Sequence, residues 1–229
     1  DLKKKKVDIL VNLSASPYTL KKLELRSKVS SFAAQYLQVP LIYVNQIGAN
    51  DNLIFDGNSF ILDKNGSKIK QLKSFSEDLS SWEIEQTKPE KNEFKNSEMS
   101  SIFDALVLGV KDYAKKCGFK TALVGLSGGI DSALVSAIAT AALGSDNVYC
   151  VSMPSKWSSS HSKSDAKDLA RRLKISFKSI PIENLMTSFE ESFIKTISFE
   201  MAEITNQNIQ SRIRGTLLMA LANQEKHLL

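Results

Sequence analysis

The sequence predicts an α/β protein made of two successive units, the second built on a parallel sheet. Three observations carry this. Beyond residue 98, short apolar runs alternate with helical stretches of roughly ten to fifteen residues, the spacing of strand–helix–strand crossovers. Before residue 75 a strand, a helix and a second strand lead into a hairpin signal. Between them, residues 76–97 turn polar, with scattered acids, lysines and Pro89, as a linker does. The expected division is therefore 1–75, a linker at 76–97, and 98–229. The 42% hydrophobic and 24% charged content suits a globular protein of 229 residues and excludes disorder and coiled coil. No apolar run is long enough to span a bilayer, so no membrane partner is expected.

In order, Val7 to Val11 is a short buried-type strand, and Ser16-Pro17 breaks it. A helix follows from about Thr19 to Gln38, on which Leu20, Leu23, Val29, Phe32, Ala33 and Tyr36 approximate a 3.6-residue period that would face the core. Pro40 ends it, and Leu41 to Val44 makes the next strand. Phe60–Leu62 and Ile69–Leu72 flank Asn65-Gly66, a pair suited to the positive φ of a tight hairpin. In the second unit, helices are expected near 100–116, 131–143, 162–173 and 207–227, with strands at 121–126, 148–153 and 175–180.

The net charge of +5 allows an anionic partner without naming one, and Lys3 to Lys6 read as a solvated face; no nucleic-acid partner is expected. Two cysteines, Cys117 and Cys150, make neither a disulfide framework nor a metal site, which points to a reducing, cytoplasmic setting. The chain opens on Asp1 with no initiator methionine and no apolar signal core. It is expected to be an excerpt from a longer polypeptide.

The chemistry concentrates in Gly125-Leu126-Ser127-Gly128-Gly129-Ile130-Asp131-Ser132, where an apolar strand passes into a helix through two glycines. Missing side chains let backbone N–H groups approach an anion, and the helix start adds positive dipole. Ser127 and Ser132 can donate hydroxyls. Asp131 would repel phosphate unless a cation such as Mg²⁺ lay between them. No Gly-Lys-Ser/Thr ending follows, and the glycine spacing is not that of a dinucleotide fold. A capped Gly-Gly turn is the plain alternative.

This loop resembles the pyrophosphate loop (PP-loop) of the ATP pyrophosphatases, a Rossmann-like fold of the adenine nucleotide alpha hydrolase type. Ser152 to Ser159 with Asp165-Ala166, and Asn208 to Gly215, resemble segments of NAD synthetases. Asn12 to Tyr18, Tyr43 to Gly48 and Phe55 to Ser59 resemble the nitrilase-like glutaminase domain fused to them. The chain is thus identified as a member of the glutamine-dependent NAD synthetases. Trp157 replaces the usual tyrosine, a conservative change.

The resemblance implies a ligase that uses ATP and Mg²⁺ to adenylate deamido-NAD, then amidates it with ammonia from glutamine. It implies ATP contacts at Gly125, Leu126, Ser127, Gly128, Gly129, Ile130, Asp131 and Ser132, with Asp131 on the metal. It further implies glutamine contacts at Ser16 and Lys22, and deamido-NAD contacts at Asn208 and Arg212. Asn208 could otherwise be a helix cap. No catalytic residue is expected within this chain, because the family's glutaminase Glu, Lys and Cys would lie upstream. The excerpt would be inactive alone, and its parent a homo-oligomer. GMP synthetases, tRNA-modifying enzymes and a non-catalytic remnant are the alternatives. The first two lack a nitrilase-like segment ahead of the loop.

Overall fold

A computed structural model describes residues 2–84, 88–89, 97–197 and 201–229; most of the expected linker lies outside the described residues. The chain divides into two compact units, Asp1–Tyr113 and Ala114–Leu229.

In the first unit, β1 (Leu10–Ser14) and β2 (Leu41–Asn45) pair in parallel, joined by α1 (Lys22–Leu37). β5 (Phe60–Leu62) and β6 (Lys68–Gln71) extend the sheet antiparallel, giving the order β1-β2-β5-β6. The Asn65-Gly66 turn forms as expected, with Gly66 at φ 76. The first strand begins three residues later than the apolar run suggested. Pairing sets it: Leu10 aligns with Leu41 and Ser14 with Asn45, which draws the polar Asn12 and Ser14 into the ladder. An unexpected hairpin, β3 (Ile47–Asn50) and β4 (Leu53–Asp56), turns through Asp51 at φ 54.

The inward face of α1 differs from the periodicity. Leu23 and Ala33 do pack on the core around Leu41, Tyr43, Phe60 and Leu62, but the most buried helix residues are Arg26, Ser30 and Ala34. Leu20, Val29, Phe32 and Tyr36 are exposed, Phe32 at 69%. Small residues at 30, 33 and 34 let the helix lie close to the sheet, and Arg26 finds a buried partner in Asp56 at 2.7 Å. A paired charge with small neighbours outcompetes a stripe of larger apolar side chains. α2 (Glu98–Cys117) runs across the division between the units, and within the first its Asp112 carboxylate accepts the Ala49 N–H at 2.7 Å.

The second unit holds the expected parallel sheet, β7 (Ala122–Gly125), β8 (Val148–Ser152) and β9 (Ser176–Ser179), in that order. α3 (Ile130–Leu143) and α4 (Ser160–Leu173) make the crossovers. One face buries Leu126, Ala139, Val148, Cys150, Ala166 and Ala170 beneath them. The other buries Leu123, Val151, Met153, Ile182, Met186 and Ala222 against α5 (Glu183–Ile197) and α6 (Glu203–Glu225). α5 was not expected, although Ile182 and Met186 set its inward spacing. Helices on both faces leave the strand ends as the accessible edge of the sheet, which is where such folds bind ligands.

Candidate functional site

The loop follows β7 directly. Leu126 is 1% exposed and its N–H donates to Val151 O at 2.9 Å, so its side chain anchors the loop in the core. Gly128 stands at φ 87 and lies against α4: a Cβ there would come within 2.8 Å of the Ser162 carbonyl carbon. Only glycine allows both the backbone angle and that approach. Gly129 is the N-cap of α3 with no side-chain cap, which leaves N–H groups of the helix start without a capping side chain.

The hydroxyls organise the turn. Ser132 Oγ accepts the Ser127 N–H at 3.2 Å and donates to Gly129 O at 3.0 Å. Ser127 Oγ accepts the Gly129 N–H at 3.1 Å and pairs with Ser132 Oγ at 3.1 Å. The same hydroxyls and N–H groups are the donors an anion would take over. Ile130 and Asp131 are exposed in the first turn of α3.

Beside the loop lies a cavity of about 290 Å³, lined by Gly125, Leu126 and Ser127, by Met153 beyond β8, by Ser162 and Lys163 of α4, and by Arg214 of α6. α4 also starts here, capped by Ser159, whose hydroxyl accepts the Ser162 N–H at 3.0 Å. Two helix N-termini, Lys163 and Arg214 give the cavity a positive field. Arg214 is held by Met153 O at 3.0 Å and Gln210 Oε1 at 3.4 Å, and burial pushes its guanidinium below the usual range. It remains a cation, since arginine does not deprotonate in proteins. Sequence reading gave no site role to Lys163 or Arg214. The signal for Arg214 was present, because it falls within the Asn208–Gly215 segment.

Asn208 and Arg212 stand on a different side of α6. Asn208 is exposed inside the helix, and the N-cap is Ala202, so the capping alternative for Asn208 is excluded. Arg212 borders a separate open concavity with Gly215, Thr216 and Met219, and does not line the cavity beside the loop. In the first unit, Ser16 lies between β1 and α1, half-buried, and Lys22 is the first residue of α1. Cys150 is buried, and burial pushes its thiol up, as suits an inert core sulfur. His227 is fixed between Thr121 Oγ1 at 2.6 Å and Glu225 Oε2 at 3.0 Å, an ordinary packed histidine.

Among the described residues no three His, Cys, Asp or Glu side chains gather as a metal cluster. Mg²⁺ does not require one, because it keeps waters and is commonly held by one or two carboxylates with substrate phosphates. An exposed Asp131 in the first turn of α3, beside the glycine loop, suits that mode. Among the described residues no helix is long and apolar enough to cross a membrane.

A glycine-bearing loop between a parallel strand and a helix start, next to a cation-lined cavity, defines an α/β domain of the pyrophosphate-loop type. Comparison with known proteins narrows the class. The family model for NAD synthase matches residues 102–229, and that for carbon-nitrogen hydrolase matches residues 1–88. The chain belongs to the NAD synthase family. It is 45% identical to a glutamine-dependent NAD(+) synthetase of Synechocystis sp., with all of this chain matched to 42% of that protein. A counterpart from Thermotoga maritima is 35% identical, with 95% of this chain matched to 44% of the relative. The glutamine-dependent NAD+ synthetase of Acinetobacter baumannii, solved with ADP, superposes at a TM-score of 0.89 with 37% identity, covering 97% of this chain and 43% of that one. The chain thus spans less than half the length of these relatives.

Proposed function

We propose that this chain is part of a cytoplasmic, homo-oligomeric enzyme that converts deamido-NAD to NAD, using ATP and ammonia released from glutamine. One observation carries the reading: a pyrophosphate-type loop beside a cavity lined by Lys163 and Arg214, in a chain of the NAD synthase family. The relatives' printed activity and the ADP in the Acinetobacter structure support it. Residues 1–75 are assigned to part of the glutaminase domain, 76–97 to the linker and 98–229 to part of the synthetase domain, whose first helix, α2, begins within the first compact unit.

A carboxylate oxygen of the nicotinate attacks the α-phosphorus of ATP, and pyrophosphate leaves. Ammonia then attacks the acyl carbon, and AMP departs with the C–O electron pair. Ser127, Ser132 and the N–H groups at Gly128, Gly129 and Ile130 hold the departing pyrophosphate, backed by Gly125 and Leu126. Asp131 would hold Mg²⁺, which when bound neutralises phosphate charge. Lys163 and Arg214 add fixed positive potential in a site walled from solvent on its core side. The chain's contribution is positioning and charge, with no covalent step on its own residues.

The reading is tested on the full-length protein with deamido-NAD, ATP, Mg²⁺ and glutamine labelled with ¹⁵N in its amide. NAD heavier by one mass unit, with AMP and pyrophosphate formed in equal amounts, is the expected result. ADP and phosphate without label transfer would rule it out.

Asn208 and Arg212 are proposed to contact deamido-NAD from the exposed side of α6. Asn208→Ala removes a hydrogen bond worth about 0.5–1.5 kcal/mol. The KM for deamido-NAD should therefore rise roughly two- to tenfold, while the KM for ATP and the melting temperature stay put. Steady-state kinetics at saturating ammonia provides the check.

A further inference from the structure

Beneath the half-buried Ser16 lies a polar network with an ion pair at its centre. Arg26 and Asp56 have side chains only 4% and 2% exposed, and their atoms meet at 2.7 Å. Asn45 Nδ2 also reaches Asp56 Oδ1 at 3.4 Å, and Asn58 Nδ2 donates to Asp56 Oδ2 at 2.7 Å. The rest of the guanidinium grips one short stretch of backbone. Arg26 Nε donates to Ser16 Oγ at 3.0 Å, and Nη2 donates to Ser16 O at 2.7 Å and Pro17 O at 3.0 Å. Asn45 Oδ1 accepts the Ser16 N–H at 2.9 Å. Ser16 is thus held at its N–H, its carbonyl and its hydroxyl.

This arrangement is costly for a residue whose only task is to end a strand. A buried charge pair is rarely a gain in stability over apolar packing, so its retention calls for another reason. The planar fork of arginine supplies one, since a single group spans two carbonyls, a hydroxyl and a carboxylate. It also sets the polarity of the hydroxyl. A serine hydroxyl has one hydrogen, and Arg26 donates to the oxygen, so that hydrogen remains for a neighbour.

We propose that Arg26, anchored by Asp56, is the positioning residue of the glutamine site. It fixes Ser16 so that the hydroxyl offers a proton to the ligand, committing that contact to an acceptor such as the α-carboxylate of glutamine. The inference rests on the proposed glutamine role of Ser16. Lys22, a cation at the start of α1, suits the same carboxylate.

The test uses the full-length protein and three variants: Arg26→Lys, which keeps the charge and loses the fork, Ser16→Ala, and the two combined. Each single change should raise the KM for glutamine roughly 10- to 100-fold, the loss of a hydrogen bond to a charged group. Synthesis supplied with free ammonia, run in the second unit, should keep its rate. If Arg26 acts through Ser16, the double variant should be no worse than the poorer single one. Additive losses, an unchanged KM in either single variant, or an equal fall with ammonia would overturn the proposal.

If Arg26→Lys does not fold, competition between glutamine and L-glutaminamide, which lacks the carboxylate, decides the matter in Ser16→Ala. Wild type should prefer glutamine at least tenfold and Ser16→Ala should lose most of that preference, keeping only what Lys22 supplies; an undiminished preference would overturn the proposal. Ammonia-supplied synthesis without any glutamine-supplied synthesis in wild type would count instead against the glutamine reading itself.

Discussion

Asp131→Asn in the full-length protein is expected to lower adenylation of deamido-NAD by roughly 10²–10³-fold, the scale of a lost electrostatic stabiliser. Asp131 is exposed in the first turn of α3, where its charge also favours the helix dipole. Losing that term costs only about 0.3–1 kcal/mol, so the fold should survive. The larger loss would fall on the phosphate site, where a carboxylate is unfavourable unless a cation sits between it and the nucleotide. Ammonia- and glutamine-supplied synthesis should decline together, because adenylation precedes either nitrogen source on the proposed route. Glutamine hydrolysis should persist. Calorimetry should also show ATP binding losing its Mg²⁺ dependence. Full ammonia-supplied activity in a folded Asp131→Asn protein would remove the metal role.

Gly128→Ala should damage both fold and activity. At φ 87 an added methyl is strained by about 1–2 kcal/mol. It would also press into the Ser162 carbonyl at the start of α4, which costs about 1–3 kcal/mol where backbone must shift. Displacing the loop by about an ångström should lower adenylation by roughly 10²-fold or more. Gly129→Ala is the contrast for stability. Its φ is −85 and its Cβ would meet only Ser127 Oγ at 3.3 Å, so unfolding should move by about 1 kcal/mol or less. Urea unfolding with a pyrophosphate-release assay separates the two. Equal effects at both glycines would contradict the close approach of the loop to α4.

The loop and the parallel order of the second unit were legible because each signal is local. Gly128 and Gly129 mark the turn, and apolar runs separated by helices imply the crossovers. The first unit was harder to read. The β3–β4 hairpin escaped because Ile47–Asn50 contains Gly48 and Asn50 and shows little alternation, although Asp51-Asn52 offered turn chemistry. α5 escaped because Thr187, Ser188, Phe189 and Ser192 weaken helix propensity, and burial of Ile182 and Met186 decides the matter instead. The face of α1 was misread for a long-range reason. Arg26 pairs with Asp56 thirty residues away, and a period written for apolar residues cannot register a buried arginine. Arg214 and Lys163 line the cavity beside the loop from separate helices, which only tertiary structure brings together.

Oxygen transfer tests adenylation most directly. Deamido-NAD carrying ¹⁸O in its nicotinate carboxylate is turned over by the full-length protein with ATP and ammonia, and the AMP is analysed by mass spectrometry. AMP with one ¹⁸O is the expected product, because the carboxylate oxygen that attacks the α-phosphorus departs with the nucleotide. Unlabelled AMP, or ¹⁸O appearing in inorganic phosphate beside ADP, would contradict it.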